Sequence, residues 1–293
     1  MDKTIDSFAE DIKKEVSERL GSGYVVEVRK VTKNNGVTLT GLTVHRDGEK
    51  VAPTVYLDGY FEERRWDAAE EIAAICIRPT PFKGKNAAEK FMEPSFAREH
   101  LCYRLVNRKE NKELLKDTSY REFLDLAIVY FLSVDVGMDG HGSILVKDNM
   151  MRLWGMDEDE LYRIAAENTP RIFPAECGSL SDVIRGFTGE FSLGEDDVPL
   201  RIITNKHKLN GATAVLYEGL LEYEAELAGG DIYVIPSSVH EFLVVKKDIG
   251  MKVREIKTMI HEINETILSP DEVLSDSLYT FSERDGLQIA GKE

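Results

Sequence analysis

The stretch DIYVIPSSVHEFLVV, residues 231–245, decides the fold class. Two apolar runs rich in β-forming residues flank a polar centre, which is the pattern of two strands joined by a turn. Pro236 lacks a backbone N–H and is expected to end the first strand, while Ser237 and Ser238 supply hydrogen bonds to the turn. A connection this short joins antiparallel strands, so the stretch predicts a β-hairpin.

Strands and helices alternate around this hairpin over residues 200–293. The segments LRIITN and GATAVLY are predicted strands, and GLLEYEAELA is a predicted helix that ends at a pair of glycines. A last helix follows the hairpin, with an apolar stripe at steps of three and four: Val253, Ile256, Ile260, Ile263 and Ile267. The order predicts a C-terminal ββα-ββα unit of mostly antiparallel strands, which places the chain in the α+β class.

The N-terminal region, residues 1–187, is predicted to begin with a helix and a β-meander. Apolar residues recur at steps of three and four from Ile5 to Leu20, and Gly21 is a natural helix end. KNNG at residues 33–36 predicts a hairpin turn, and PTVYLD supplies a third strand. The apolar positions change parity around Gly41, which predicts a glycine β-bulge there.

The centre of the chain is predicted to be helical. Helical patterns cover residues 66–78 and 95–106, and YREFLDLAIVYFL, residues 120–132, is apolar on most sides and predicts a central buried helix. SILVKD is a predicted strand, and Asp157 with Glu160 resembles the start of a capped helix that Pro170 ends. Residues 188–199 are polar and without periodicity, so they are predicted to be a linker or long loop, with both regions able to pack as one compact unit.

Ser238, His240 and Glu241 are the residue types of a hydrolytic site. A catalytic serine also needs an oxyanion hole and an acid that orients the histidine, and no GxSxG or SxxK sequence accompanies them. The structural interpretation, a turn followed by a strand, is therefore favoured over catalysis. The six histidines show no metal-ligand spacing, so neither a metal nor a cofactor is predicted.

The segment YLDGYFEERRW, residues 56–66, mixes aromatic and charged side chains. Such a mixture suits a protein interface, whose candidate residues are Tyr56, Asp58, Tyr60, Phe61, Arg64, Arg65 and Trp66. A second basic cluster, Arg104, Arg108, Lys109 and Lys112, alternates with glutamates and is interpreted as a solvent-facing helix. A partner-binding face is the alternative for that cluster.

Composition narrows the class of function. The net charge is −16, and residues 151–293 carry 27 acidic against 14 basic side chains, which disfavours general nucleic-acid binding. No apolar run approaches the roughly 20 residues that span a bilayer, so no membrane association is expected. Three widely spaced cysteines indicate reduced thiols and a cytoplasmic protein.

Several phrases occur together in a specific order. These are KNNGVTLTGLTV, PTVYLDGYFE, YRLVNRKENKELLKD, FLDLAIVYFL, LWGMDEDELYRIAAENTPR, VIPSSVHEFLVV, EINET and EVLSDSLYTF. With them the chain resembles the DUF5688 family, a family of Gram-positive anaerobes, over residues 2–281. The resemblance implies that PSSVHE is a family signature, and it supplies no assigned activity and no catalytic residues.

Three hypotheses on function follow from the sequence. The first is a non-enzymatic cytoplasmic protein that binds another protein or a small ligand. The second is a hydrolase or metal-dependent enzyme that uses Ser238, His240 and Glu241 with groups from elsewhere in the chain. The third is an acidic decoy that mimics a nucleic acid and occupies a nucleic-acid-binding protein.

Overall fold

The fold was analysed in a computed structural model of the chain. It describes residues 3–46, 49, 52, 54–78, 87–137, 140–179 and 200–291. The chain divides into two compact units. Unit 1 comprises Met1–His100, Ser133–Ile144 and Leu153–Gly155, and unit 2 comprises Leu101–Leu132, Leu145–Arg152 and Met156–Glu293.

Unit 1 is built from the predicted first helix and a three-stranded antiparallel sheet. The helix α1, Ile5–Leu20, is capped by the Thr4 side chain and buries its apolar face, as its periodicity predicts. The sheet has the order β1-β2-β3, so the predicted meander is confirmed. The further elements up to residue 100 are β1 Tyr24–Thr32, β2 Thr38–Arg46, β3 Thr54–Tyr56, α2 Asp58–Glu62, α3 Ala69–Ile77, α4 Ala87–Phe91 and α5 Pro94–His100.

The glycine bulge predicted at Gly41 is wrong. Strands β1 and β2 pair in unbroken register from Tyr24 to Thr32, so Leu39 points to the face opposite Leu42. A Cβ atom on Gly41 would lie 2.5 Å from Thr54 Cγ2 on β3. Glycine therefore makes room for a neighbouring side chain rather than adding a residue to the strand.

Unit 2 contains a sheet where the sequence pattern predicts helices. Residues 101–107 form β4, Leu101–Asn107, and residues 120–132 form β5, Tyr120–Phe123, and the first part of β6, Leu126–Gly137. The strand order is β4-β6-β5, all antiparallel, and Leu124 turns the chain with a positive φ of 55°. A central strand buried on both faces is apolar at every position, as is a buried helix, so this pattern could not separate the two.

Side chains satisfy the backbone at the other edge of β4. Thr169 Oγ1 accepts a hydrogen bond from the Tyr103 N–H at 3.0 Å, and Thr213 Oγ1 accepts one from the Leu105 N–H at 3.2 Å. The Asn168 amide donates to the Leu101 carbonyl at 3.0 Å. The strand edge therefore has partners without a further strand, which explains why three polar side chains are buried here.

Unit 2 also contains a six-stranded antiparallel sheet. Its strand order is β13-β12-β10-β11-β9-β8, and adjacent strands are antiparallel throughout. The predicted strand GATAVLY is wrong, because Gly211–Leu216 forms a 3₁₀ turn entered through Asn210 with a φ of 50°. The strands are β8 Ala175–Ser179, β9 Arg201–Asn205, β10 Ile232–Pro236, β11 Phe242–Lys246, β12 Tyr279–Ser282 and β13 Gly286–Ile289.

The remaining elements complete the α+β class, which is confirmed. They are α6 Lys112–Leu115, β7 Gly140–Leu145, α7 Asp148–Trp154, α8 Glu158–Ile172, α9 Leu220–Ala228 and α10 Val253–Thr266. Asp157 caps α8 as predicted, whereas Pro170 lies inside the helix, which ends two residues later. On α10 the predicted stripe holds as far as Ile260, but Ile263 and Ile267 are 41% and 73% exposed, and Asn264 is buried instead.

The predicted linker 188–199 lies outside the described residues, as does the loop PTPFKGKN at residues 79–86. Strand β8, which belongs to the predicted N-terminal region, pairs with β9 of the predicted C-terminal region. Each compact unit is assembled from three separate segments of the chain, and the first change of unit comes between residues 100 and 101. The boundary at 188–199 stays a prediction.

Candidate functional site

The PSSVHE stretch is a tight connection between two paired strands. Pro236 ends β10 and pairs with Phe242, the first residue of β11, so residues 237–241 form the loop. The predicted turn followed by a strand is confirmed. The strand begins at Phe242.

Ser238 closes this loop. Its side chain is only 4% exposed, donates a hydrogen bond to Glu241 Oε1 at 2.9 Å and accepts one from the His240 N–H at 2.9 Å. The Ser237 and Ser238 N–H groups both donate to the Glu241 carbonyl at 3.2 Å. These contacts are the local side-chain to backbone bonds that stabilise turns.

The His240 ring is held by groups outside the loop. Nδ1 accepts a hydrogen bond from the Asn210 N–H at 3.2 Å, and Nε2 lies 3.8 Å from Glu272 Oε1. Since Nδ1 is occupied as an acceptor, the ring proton of a neutral His240 is on Nε2. Ser238 contacts the His240 backbone, and the described hydrogen bonds do not join its hydroxyl to the ring. The geometry that a serine nucleophile needs is therefore not assembled by these residues.

Replacing Ser238 by alanine is expected to destabilise the protein by about 1–2 kcal/mol, because a buried donor and acceptor lose their partner. The measurement is urea unfolding followed by circular dichroism. Ser237→Ala, one residue earlier in the same loop, is the control and should change stability by less than about 0.5 kcal/mol. Equal midpoints for the two variants would contradict the role given to Ser238.

The candidate interface residues 56–66 lie in unit 1, and several are engaged in its packing. Phe61 and Trp66 contact the Phe8 ring at centroid distances of 5.8 and 5.3 Å. Tyr60 and Arg65 both donate to the Glu71 carboxylate, at 3.1 and 2.6 Å. The hydrogen bond from Arg65, with that from Tyr60, lowers the pKa of the Glu71 carboxyl.

The other candidates in this segment divide between structural and exposed positions. Asp58 accepts a hydrogen bond from the Thr40 N–H at 2.7 Å, and the Tyr56 ring lies 4.3 Å from the Lys33 ammonium. Arg64 is exposed with a positive φ, and Trp66 retains 40% of its surface. Of the predicted interface, Arg64 and Trp66 are the exposed residues, and the paired Arg65 side chain also keeps 42% of its surface.

A cavity of 610 Å³ lies in unit 2, beside the turn between β5 and β6. Its cationic lining comes from the segment that follows β4: Arg108, Lys109, Lys112 and Lys116. Tyr120 and Leu115 also line it, together with two carboxylates, Glu122 and Asp125. We refer to this site as the basic cavity.

The cations of the basic cavity are only partly neutralised. Arg108 pairs with Glu122 at 2.5 Å, Lys109 with Glu110 at 3.5 Å and Lys116 with Glu113 at 2.7 Å, and the Lys109 side chain is 83% exposed. Lys112 is exposed and has no ion pair within the described residues. Four cations and two carboxylates line the cavity. The cavity lining is therefore positive in a chain whose net charge is −16.

Asp125 brings a fixed carboxylate to the basic cavity. Its Oδ1 accepts a hydrogen bond from the Tyr279 hydroxyl and its Oδ2 one from the Ser275 hydroxyl, both at 2.6 Å. Ser275 and Tyr279 are each 1% exposed, and burial raises the pKa of the Tyr279 hydroxyl. Two neutral donors thus hold the carboxylate in place, and each oxygen keeps a lone pair for a further donor.

Sequence reasoning found part of this site. It singled out Arg108, Lys109 and Lys112, but as a solvent-facing helix with Arg104. The structure places Arg104 in β4 and gives only the short helix α6, Lys112–Leu115. The contribution of Asp125, Ser275 and Tyr279 had no local signal, because 150 residues separate the first two.

The comparison with protein families covers almost the whole chain. A family model described as a family of unknown function, DUF5688, matches residues 5–283. The chain belongs to this family. The loop 237–241 and the basic cavity both lie within the part of the chain that matches DUF5688. Neither the curated proteins nor the solved structures contain a match to the chain.

Three structural observations bear on this member of DUF5688. Within the described ranges, no helix combines the length and apolar character that crossing a membrane requires. In the same ranges, no three His, Cys, Asp or Glu side chains are grouped in a way that could hold a metal ion. The three cysteines form no disulfide bond in the structure.

Proposed function

We propose that this protein is a non-enzymatic ligand-binding protein, and that the basic cavity is its binding site. The observation that carries the proposal is the grouping of four cations around one cavity in a strongly acidic chain. A group of cations around one cavity attracts and retains an anion. The ligand is a small molecule that carries a phosphate or carboxylate group.

The lining also specifies the rest of the ligand. Tyr120 and Leu115 offer an aromatic and an aliphatic surface, while Asp125 offers acceptor oxygens that its own partners leave available. A ligand with a hydroxyl or amino group a few ångströms from its anionic group would bind both the cations and the Asp125 carboxylate. Phosphorylated or carboxylated metabolites with hydroxyl or amino groups form this class.

The other hypotheses have less support. Trp66 and Arg64 keep accessible surface, so a protein partner at residues 56–66 is a second candidate. A hydrolase based on Ser238, His240 and Glu241 would first have to break the contacts of His240 with Asn210 and of Ser238 with Glu241.

The acidic decoy and the exclusion of general nucleic-acid binding stay predictions from charge. We also propose that the protein is cytoplasmic, which three widely spaced cysteines without a disulfide bond support.

The test is calorimetric titration of the full chain with phosphorylated and carboxylated metabolites. We expect at least one ligand whose affinity falls about tenfold in the double variant Lys112→Ala/Lys116→Ala, since each exposed charge contact contributes up to about 1 kcal/mol. Affinity should also fall with added salt, because exposed charges are screened.

The control for this titration is Lys246→Ala/Lys247→Ala, which removes the same charge from two exposed lysines at the end of β11. This variant should bind as tightly as the original chain. The proposal is overturned if no compound binds more tightly than about 1 mM, or if both double variants lose the same affinity.

A further inference from the structure

Arg104 is a cation on β4, in the sheet of order β4-β6-β5, and no anion of the described residues pairs with it. It lies on β4 opposite Val129 of β6, which in turn lies opposite Tyr120 of β5. Its Nε atom is buried and has no hydrogen-bond partner among the described residues. The guanidinium lies over the Phe131 ring, 5.6 Å from the centroid.

Other partly buried arginines of unit 2 are paired. Arg121 donates to both oxygens of Glu158 from Nε, at 3.0 and 3.2 Å, and Arg201 donates to Glu224 at 2.5 Å. A buried charge that lacks such a partner is costly, because desolvation disfavours the charged form. Burial lowers the pKa of Arg104 for the same reason, yet an arginine keeps its proton in proteins.

We propose that Arg104 binds the carboxylate group of an organic acid. The Nε–H and the adjacent Nη–H point in parallel, and a planar carboxylate accepts from both at once. The surroundings favour an organic acid over a strongly hydrated phosphate, because Cys102, Val106 and Phe131 are buried apolar neighbours on the same sheet face. The Nε atom is buried, whereas the Arg104 residue as a whole retains partial solvent exposure.

This site is separate from the basic cavity, whose lining does not include Arg104. The proposal therefore does not depend on the proposed function. The two proposals can be tested separately, because each site has its own variant. Arg104→Lys changes the carboxylate site, and Arg108→Lys changes the basic cavity. Both changes keep the positive charge and remove the fork of parallel N–H donors.

The experiment is a nuclear magnetic resonance titration of the ¹⁵N-labelled full chain with benzoate. The Nε–H signal of Arg104 is assigned by its absence in Arg104→Lys. We expect benzoate to move this signal in a saturable way, in the original chain and in Arg108→Lys alike. Backbone amide signals of β4 and β6 should move with it, and in Arg104→Lys their response should require at least tenfold more benzoate.

Four results would overturn the proposal. The first is an Arg104 signal that benzoate does not move at any concentration, and the second is an equal shift with sodium chloride of matched ionic strength. The third is saturation of the signal by inorganic phosphate at a lower concentration than by benzoate. A response that disappears in Arg108→Lys would also overturn it, because the carboxylate would then be bound in the basic cavity.

Discussion

Replacing Glu224 by alanine is expected to lower the free energy of unfolding by about 3–5 kcal/mol. Glu224 lies on α9 and is fully buried, and its two oxygens accept hydrogen bonds from Arg201 Nε and Nη2 at 2.5 and 3.2 Å. The hydrogen bond with Glu224 raises the pKa of Arg201. The Arg201 side chain is only 25% exposed. Removing the Glu224 carboxylate therefore leaves a largely buried guanidinium without its anion.

The measurement is urea unfolding at neutral pH, with the midpoint and slope fitted together. Glu226→Ala, on an exposed position of the same helix, is the matched control and should change stability by less than about 0.5 kcal/mol. A loss below about 1 kcal/mol in Glu224→Ala would show that Arg201 finds enough water to replace its partner.

The second large effect is expected for Gly211→Ala, at about 3 kcal/mol of lost stability. A Cβ atom at this position would lie 2.2 Å from Thr204 Oγ1, 2.4 Å from the His240 carbonyl oxygen and 2.8 Å from the Asn205 nitrogen. Two of these three atoms belong to the backbone, so a rotamer change cannot relieve the contact. Either β9 or the loop at His240 has to move.

Gly178→Ala on β8 is the matched control, since no atom lies within 4 Å of its Cβ position. It should be neutral to within about 0.5 kcal/mol in the same unfolding experiment. If Gly211→Ala matched this control, the close packing of the 3₁₀ turn against the loop would be contradicted. The histidine signals in a proton spectrum would show directly whether His240 has moved.

The close approach at Gly211 is accompanied by hydrogen bonds between the loop 237–241 and its neighbours. The His240 carbonyl accepts a hydrogen bond from Thr204 Oγ1 at 2.8 Å, and the Val239 carbonyl accepts one from the Ala212 N–H at 3.3 Å. The His240 ring accepts one from the Asn210 N–H at the start of the 3₁₀ turn, and Ser238 Oγ accepts one from the His240 N–H within the loop.

The sequence alone determined the elements whose signals are local. The steps of three and four in residues 5–20 specify α1, because a helix repeats every 3.6 residues whatever surrounds it. The turn residues at 33–36 and 236–238 specify two hairpins, since proline and positive-φ residues limit the backbone directly. The α+β class and the membership of DUF5688 follow from such local patterns.

Only the tertiary structure decided the rest. Residues 126–132 are continuously apolar, and pairing with β4 on one side and β5 on the other, which depends on distant strands, made them part of β6 rather than of a helix. Asp125 meets Ser275 and Tyr279 across 150 and 154 residues of chain. Contacts over such separations depend on how distant elements pack against one another, and no short stretch of sequence encodes them.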